Sequence, residues 1–164
     1  MALKKLLRRD SRGLKGISHV EKTPRHAQNA PKKKMIYVID DDPSILKAFQ
    51  RLLRSDNLPV KGFSSAEEFL REIIVHEGDC LILDLQMPGM KGFTLMEELK
   101  LRSIKIPVIV VTAFDHPQSR ERSKQLGAEA FFRKPVDAQA LLDSVHYAID
   151  EKPAATLEIP IPNP

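Results

Sequence analysis

Five short strand-like runs, three of them wholly apolar and each followed by a segment with helical spacing, constrain this chain more than any other feature of its sequence. The runs are Met35–Ile39, Val60–Phe63, Cys80–Leu83, Pro107–Val111 and Ala128–Phe132. They are too short for core helices and rich in β-formers, so they read as strands. After the first, Asp42 caps a helix that opens at Pro43 and turns Ile45, Leu46, Phe49, Leu52 and Leu53 to one side. Asn57-Leu58-Pro59 ends it. Ser64 or Ser65 caps the second helix, with Ala66, Phe69, Leu70, Ile73 and Ile74 inward, and His76–Asp79 is a turn. Phe93, Leu95, Met96 and Leu99 mark the third helix, 117–126 the fourth, and Leu141, Leu142, Val145, Ala148 and Ile149 the fifth, capped by Asp137. Strands that are apolar throughout, alternating with amphipathic helices, predict a parallel sheet covered on both faces. Right-handed crossovers make it a doubly wound, three-layer α/β/α sandwich of (βα)5 order.

Charge divides the chain. Residues 1–34 carry 11 Lys and Arg against 2 acids, whereas 35–164 carry 15 against 20. The expected organisation is therefore a basic disordered extension over 1–34, an α/β body over 35–150 and a Pro-rich tail over 151–164. The extension has other readings: a phosphate-backbone or anionic-membrane contact, or a true start at Met35. The single cysteine, Cys80, sits in an apolar run, so the fold needs no oxidising compartment. No stretch has the length of a membrane span and no apolar segment follows the N-terminal charges, which points to a cytoplasmic protein. Residues 151–164 are too few for a DNA-binding module, so a protein that works alone by contact with partners is expected.

Ligands of a doubly wound sheet bind beyond the carboxyl ends of its strands. There the sequence places Asp40-Asp41-Asp42, Asp84, Thr112 and Lys134-Pro135. Clustered carboxylates call for a cation, and Mg2+ suits a few hard oxygens plus water. Asp41 and Asp84 are the expected direct ligands, Asp40 acts through water, and the Gln86 backbone carbonyl adds another. With Thr112 and Lys134 this makes a place for phosphoryl oxygens, and Asp84 is the best-placed nucleophile. Taken one at a time, each residue has a plainer reading as a cap, a surface lysine or a strand end; their joint place on one rim overrides it.

The pieces Val38–Pro43, Leu83–Gly92, Val111–Ala113 and Phe131–Pro135 together resemble the receiver domain of bacterial response regulators, over roughly 35–150. The resemblance implies a flavodoxin-like fold. It implies that Asp84 accepts a phosphoryl group from a sensor histidine kinase or a histidine phosphotransfer protein, with Mg2+ held at Asp40, Asp41, Asp84 and Gln86. It implies that Thr112 moves toward the phosphoryl group, Lys134 pairs with it, Phe131 turns inward as an aromatic switch, and the Lys134–Pro135 bond is cis. The output would run through the last two helices and the strand between them to a protein partner, as a monomer or a phosphorylation-dependent dimer. Membrane association is not expected, and the chain is read as a switch, not an enzyme. A phosphatase with an Asp nucleophile would need an acid where Gln86 stands. A flavin-binding sheet would need a phosphate loop after the first strand. An adaptor acting through the basic extension is the other function weighed. Two features are specific to this chain. The fourth helix is so polar, from Ser119 to Gln125, that weak packing and recognition through charge are expected. Phe114 offers no group to orient an attacking water, so slow loss of the phosphoryl group is expected.

Overall fold

The computed structural model describes residues 34–150; the readings made for 1–33 and 151–164 fall outside the described residues. Ten elements alternate: β1 (Ile36–Ile39), α1 (Pro43–Ser55), β2 (Val60–Phe63), α2 (Ala66–Glu72), β3 (Cys80–Leu83), α3 (Gly92–Leu101), β4 (Val108–Thr112), α4 (Pro117–Gln125), β5 (Ala128–Arg133) and α5 (Ala138–Asp150). The strands form one sheet in the order β2-β1-β3-β4-β5. Every neighbouring pair is parallel.

Burial follows position in the sheet. β1, β3 and β4, the three inner strands, are buried along their whole length, while the edge strands β2 and β5 are partly exposed. The pleat sends alternate side chains to opposite faces. Tyr37, Ile39, Leu81, Leu83 and Val110 join Phe69, Leu95, Met96 and Leu99 of α2 and α3 in one core. Ile36, Val38, Ile82, Ile109 and Val111 join Phe49, Leu53, Leu141 and Val145 of α1 and α5 in the other. The three-layer, flavodoxin-like arrangement expected from the sequence is the one observed.

Caps follow the sequence closely. Asp42 accepts from Ser44 N–H at 2.7 Å, and Asp137 accepts from Ala140 N–H at 2.9 Å. Both serines serve α2. Ser65 is its N-cap and accepts from Glu68 N–H, while Ser64 donates its N–H and its hydroxyl to the Glu68 carboxylate. The C-terminus of α2 departs from expectation. The helix stops at Glu72, and Ile73 is already extended, with φ −75° and ψ 132°. The helical phase is lost there, so Ile74 points outward and is 73% exposed instead of facing the core. Three consecutive β-branched residues, Ile73-Ile74-Val75, favour this early exit.

The polarity of α4 shows on both of its faces. Its buried positions are Ser119 and Ser123, and Ser123 Oγ donates to the Ser119 carbonyl at 2.8 Å. Small polar residues lie against the sheet, and arginines anchor the flanks. Arg122 pairs with Glu97 of α3 at 2.7 Å and covers the Phe93 ring. Arg120 makes two bonds to Asp115, at 2.6 and 2.9 Å, and covers the Phe131 ring.

Candidate phosphoryl-acceptor site

Because all five strands are parallel, their C-terminal ends share one rim. β1 delivers Asp40 and Asp41 there, β3 delivers Asp84, β4 ends on Thr112, and β5 leads into Lys134. Backbone bonds hold this register: Asp84 N–H donates to the Ile39 carbonyl and Lys134 N–H to the Thr112 carbonyl. The Lys134–Pro135 peptide is cis.

Asp40, Asp84 and Thr112 are buried, and Asp41 is exposed. Among the described residues, Asp40, Asp41 and Asp84 form a group in which each offers a ligand oxygen within 4.8 Å of the others. Lys134 Nζ lies between the two buried carboxylates, 2.6 Å from Asp40 Oδ2 and 2.7 Å from Asp84 Oδ2. Burial pushes the Asp40 carboxyl above its ordinary range; bonds from Lys134 and Asp42 N–H oppose this, and the charge of Asp84 adds to it. Burial also works against the Lys134 ammonium, but its two carboxylate partners outweigh it and hold the group charged beyond its usual range.

The other oxygens of Asp40 and Asp84 are held by turns of the chain. Asp42 N–H donates to Asp40 Oδ1 at 3.0 Å, and Gln86 N–H to Asp84 Oδ1 at 3.1 Å. Phe114 N–H donates to Thr112 Oγ1 at 3.1 Å. α3 begins hard against the end of β3. A Cβ on Gly92 would sit 2.5 Å from the Asp84 carbonyl and 2.8 Å from Leu85 Cα, both main-chain atoms that cannot swing aside. Only glycine fits that approach.

The structure therefore brings Asp40, Asp41, Asp84 and Lys134 together, places Thr112 at the adjoining strand end, and puts Gln86 in the turn bonded to Asp84. Phe131 stands apart. It lies opposite Val110 in the β4–β5 register, inward of the rim, half-buried beneath Arg120. The Arg120–Asp115 clasp over it was not legible in the sequence, since an arginine on a polar helix signals no partner.

Residues 36–146 match the family model described as the response regulator receiver domain. The chain belongs to the response regulator receiver family. The receiver is 35% identical over 119 residues to the response regulator protein TodT of Pseudomonas putida, covering 73% of this chain and 52% of that protein. It is 35% identical over 116 residues to nodulation protein W of Bradyrhizobium diazoefficiens, covering 71% and 51%. Among solved structures it superposes on the response regulator StyR with a TM-score of 0.68 at 36% identity, over 73% of this chain and 60% of that one. The chain thus spans about half the length of the curated relatives it matches. No described helix is long and apolar enough to cross a membrane.

The donor set of this receiver fits Mg2+. It offers three carboxylates and no nitrogen or sulfur ligand, and the exposed Asp41 leaves a side open to water.

Proposed function

We propose that this receiver takes a phosphoryl group onto Asp84 from a sensor histidine kinase or a histidine phosphotransfer protein. The observation that carries the reading is the Lys134 ammonium seated between two buried carboxylates, beside a third that faces water. One cation already offsets Asp40 and Asp84, and the open side accepts a second. Asp40, Asp41, Asp84 and the Gln86 carbonyl would hold Mg2+, which supplies positive charge against the phosphoryl oxygens.

Transfer forms a bond from an Asp84 oxygen to phosphorus and breaks the phosphorus–nitrogen bond of the donor phosphohistidine. Asp84 is 6% exposed, enough for attack and little enough to limit competing water. Lys134 follows the negative charge that the new phosphoryl group adds. The Thr112 hydroxyl, now bonded by Phe114 N–H, is the donor that turns toward that group. The displaced loop then bears on Phe131 through Asp115 and Arg120, and the α4-β5-α5 face passes the change to a protein partner. On this reading the receiver unit covers 35–150, acts in the cytoplasm and is a switch rather than an enzyme. Phe114 is 41% exposed with its ring against His116, and it brings no acid or amide to activate water near the acceptor, so the phosphoryl group is expected to persist.

Intact-mass measurement after exposure to acetyl phosphate and Mg2+ tests the assignment. The parent should gain one hydroxylamine-labile phosphoryl group and the Asp84→Asn variant none. A parent left unmodified with Mg2+ in excess and donor kinases supplied, or a variant modified to the same extent, overturns it.

A further inference from the structure

The turn that leaves Asp84 runs through Gln86 to Gly92, where α3 begins. Most of its bonds are local. Gln86 N–H returns to Asp84 Oδ1, Lys91 Nζ donates to the Met87 carbonyl at 2.6 Å, and Gly92 N–H donates to the Leu85 carbonyl at 3.2 Å. One bond reaches another element. Met90 N–H donates to Glu67 Oε1 of α2 at 2.7 Å.

That contact is built from both sides. Ala66 and Phe69 are fully buried in the same core as Met87, so the α2 backbone beside Glu67 cannot drift away from the turn. On the turn side, Gly89 has φ +70°, and a Cβ there would meet Glu67 Oε1 at 2.6 Å. The turn thus omits a side chain where the carboxylate sits and aims an amide at it. Hydrogen bonds from its own backbone N–H and from Met90 N–H hold the Glu67 carboxyl below its ordinary range, so the acceptor stays charged in mildly acidic solution.

We propose that Glu67 is a positioning residue for the metal end of the site: its carboxylate braces the 86–91 turn from α2 and so fixes where the Gln86 carbonyl points. The inference rests on the reading of Asp40, Asp41, Asp84 and Gln86 as Mg2+ ligands. It adds a residue from the second helix to a site otherwise built from strand ends. A glutamate acting this way works through its oxygen as a hydrogen-bond acceptor, not through its charge on the ion, and glutamine separates the two roles.

Calorimetric titration of Mg2+ into the unphosphorylated full chain, paired with amide hydrogen exchange, tests the proposal. Glu67→Ala should weaken Mg2+ binding on the order of threefold to tenfold, the scale of one ordinary hydrogen bond. Exchange at Met90 and its neighbours should speed up while β1 and β3 stay protected. Glu67→Gln should remain within about twofold of the parent, since its amide oxygen accepts the same bond. Gly89→Ala, which displaces the carboxylate from the other side and also strains the turn at φ +70°, should weaken binding at least as much as Glu67→Ala does. Glu67→Ala binding Mg2+ as the parent does would overturn the proposal. So would equal losses in the alanine and glutamine variants, which would make the effect one of charge. A parent that binds no Mg2+ would remove the ligand reading itself, an outcome distinct from all of these.

Discussion

The most heavily used buried carboxylate in this receiver is not on the functional rim. Asp79 is 2% exposed at the opposite end of the sheet. It accepts from Met35 N–H at 2.8 Å, from His76 N–H at 2.8 Å and from the Tyr37 hydroxyl at 3.4 Å. It therefore stitches the entrance of β1 to the turn before β3. Burial first, and then the Asp79 charge, push the Tyr37 hydroxyl above its ordinary range, so it remains a donor in alkaline solution. Asp79→Ala leaves the Met35 and His76 amides without a partner, while the Tyr37 hydroxyl keeps the Ile74 carbonyl at 3.2 Å, and a loss of about 2–4 kcal/mol is expected. Urea unfolding should show a lower midpoint with an unchanged slope. In the sequence Asp79 reads as one residue of a turn, and rightly so. Its burial was not legible because it depends on Tyr37 and Met35, which lie some forty positions away and come near only through the β1–β3 pairing. Asp40, Asp41, Asp84, Thr112 and Lys134 were legible for the converse reason. Each stands within two residues of the end of a strand run, and the parallel topology carries such positions to a common rim whatever the packing details.

Among the elements, α4 departs most from what its composition suggests. Nine residues from Pro117 to Gln125 present only small hydroxyls to the interior, yet the helix is tied on two sides. Arg122 joins it to α3 through Glu97 and Phe93, and Arg120 joins it to the β4–α4 loop and to β5 through Asp115 and Phe131. The two arginines are engaged within the domain while about half of each side chain stays exposed, so reversing their charge alters both the ties of α4 and its surface. Arg120→Ala combined with Arg122→Ala should speed amide exchange along α4 by on the order of tenfold, and α5 should keep its protection. Equal protection of α4 in parent and variant would mean that Ser119 and Ser123 alone hold it. The sequence exposed the polarity of α4 but not this anchoring, because cation–π contacts and long-range ion pairs leave no periodic trace. The end of α2 failed for a related reason: the spacing of Ile73 and Ile74 suits a helix, and their β-branching, which ends it, was the weaker signal.

For the whole molecule, the carboxylate cluster sets the terms of stability. Asp40 is buried with its carboxyl raised, so its ionised form opposes folding: that penalty is absent in acid and grows as pH rises through the window between its unfolded and folded values. Lys134 offsets it, and its own contribution persists until the solution is alkaline enough to discharge the ammonium. A second cation should relieve the cluster further. Mg2+ at about 100 times its dissociation constant adds about 2.7 kcal/mol by mass action, which for a domain of this size raises Tm by on the order of 10 °C. Asp41→Ala should abolish most of that shift while leaving the metal-free Tm nearly unchanged, because Asp41 is exposed. Calorimetric melts with Mg2+ and with a chelator check both expectations.

Lys34, the first described residue, belongs with the folded body rather than with the basic stretch to which the sequence assigns it. Its ammonium donates to the Ile149 carbonyl and pairs at 3.1 Å with Asp150, the last residue of α5. The body therefore opens and closes at a single corner, on the side of the sheet turned away from Asp84. A unit shaped this way is a cassette. Joined to a surface loop of an unrelated host through this corner, the body is expected to keep the rim that carries Asp84 clear of the host.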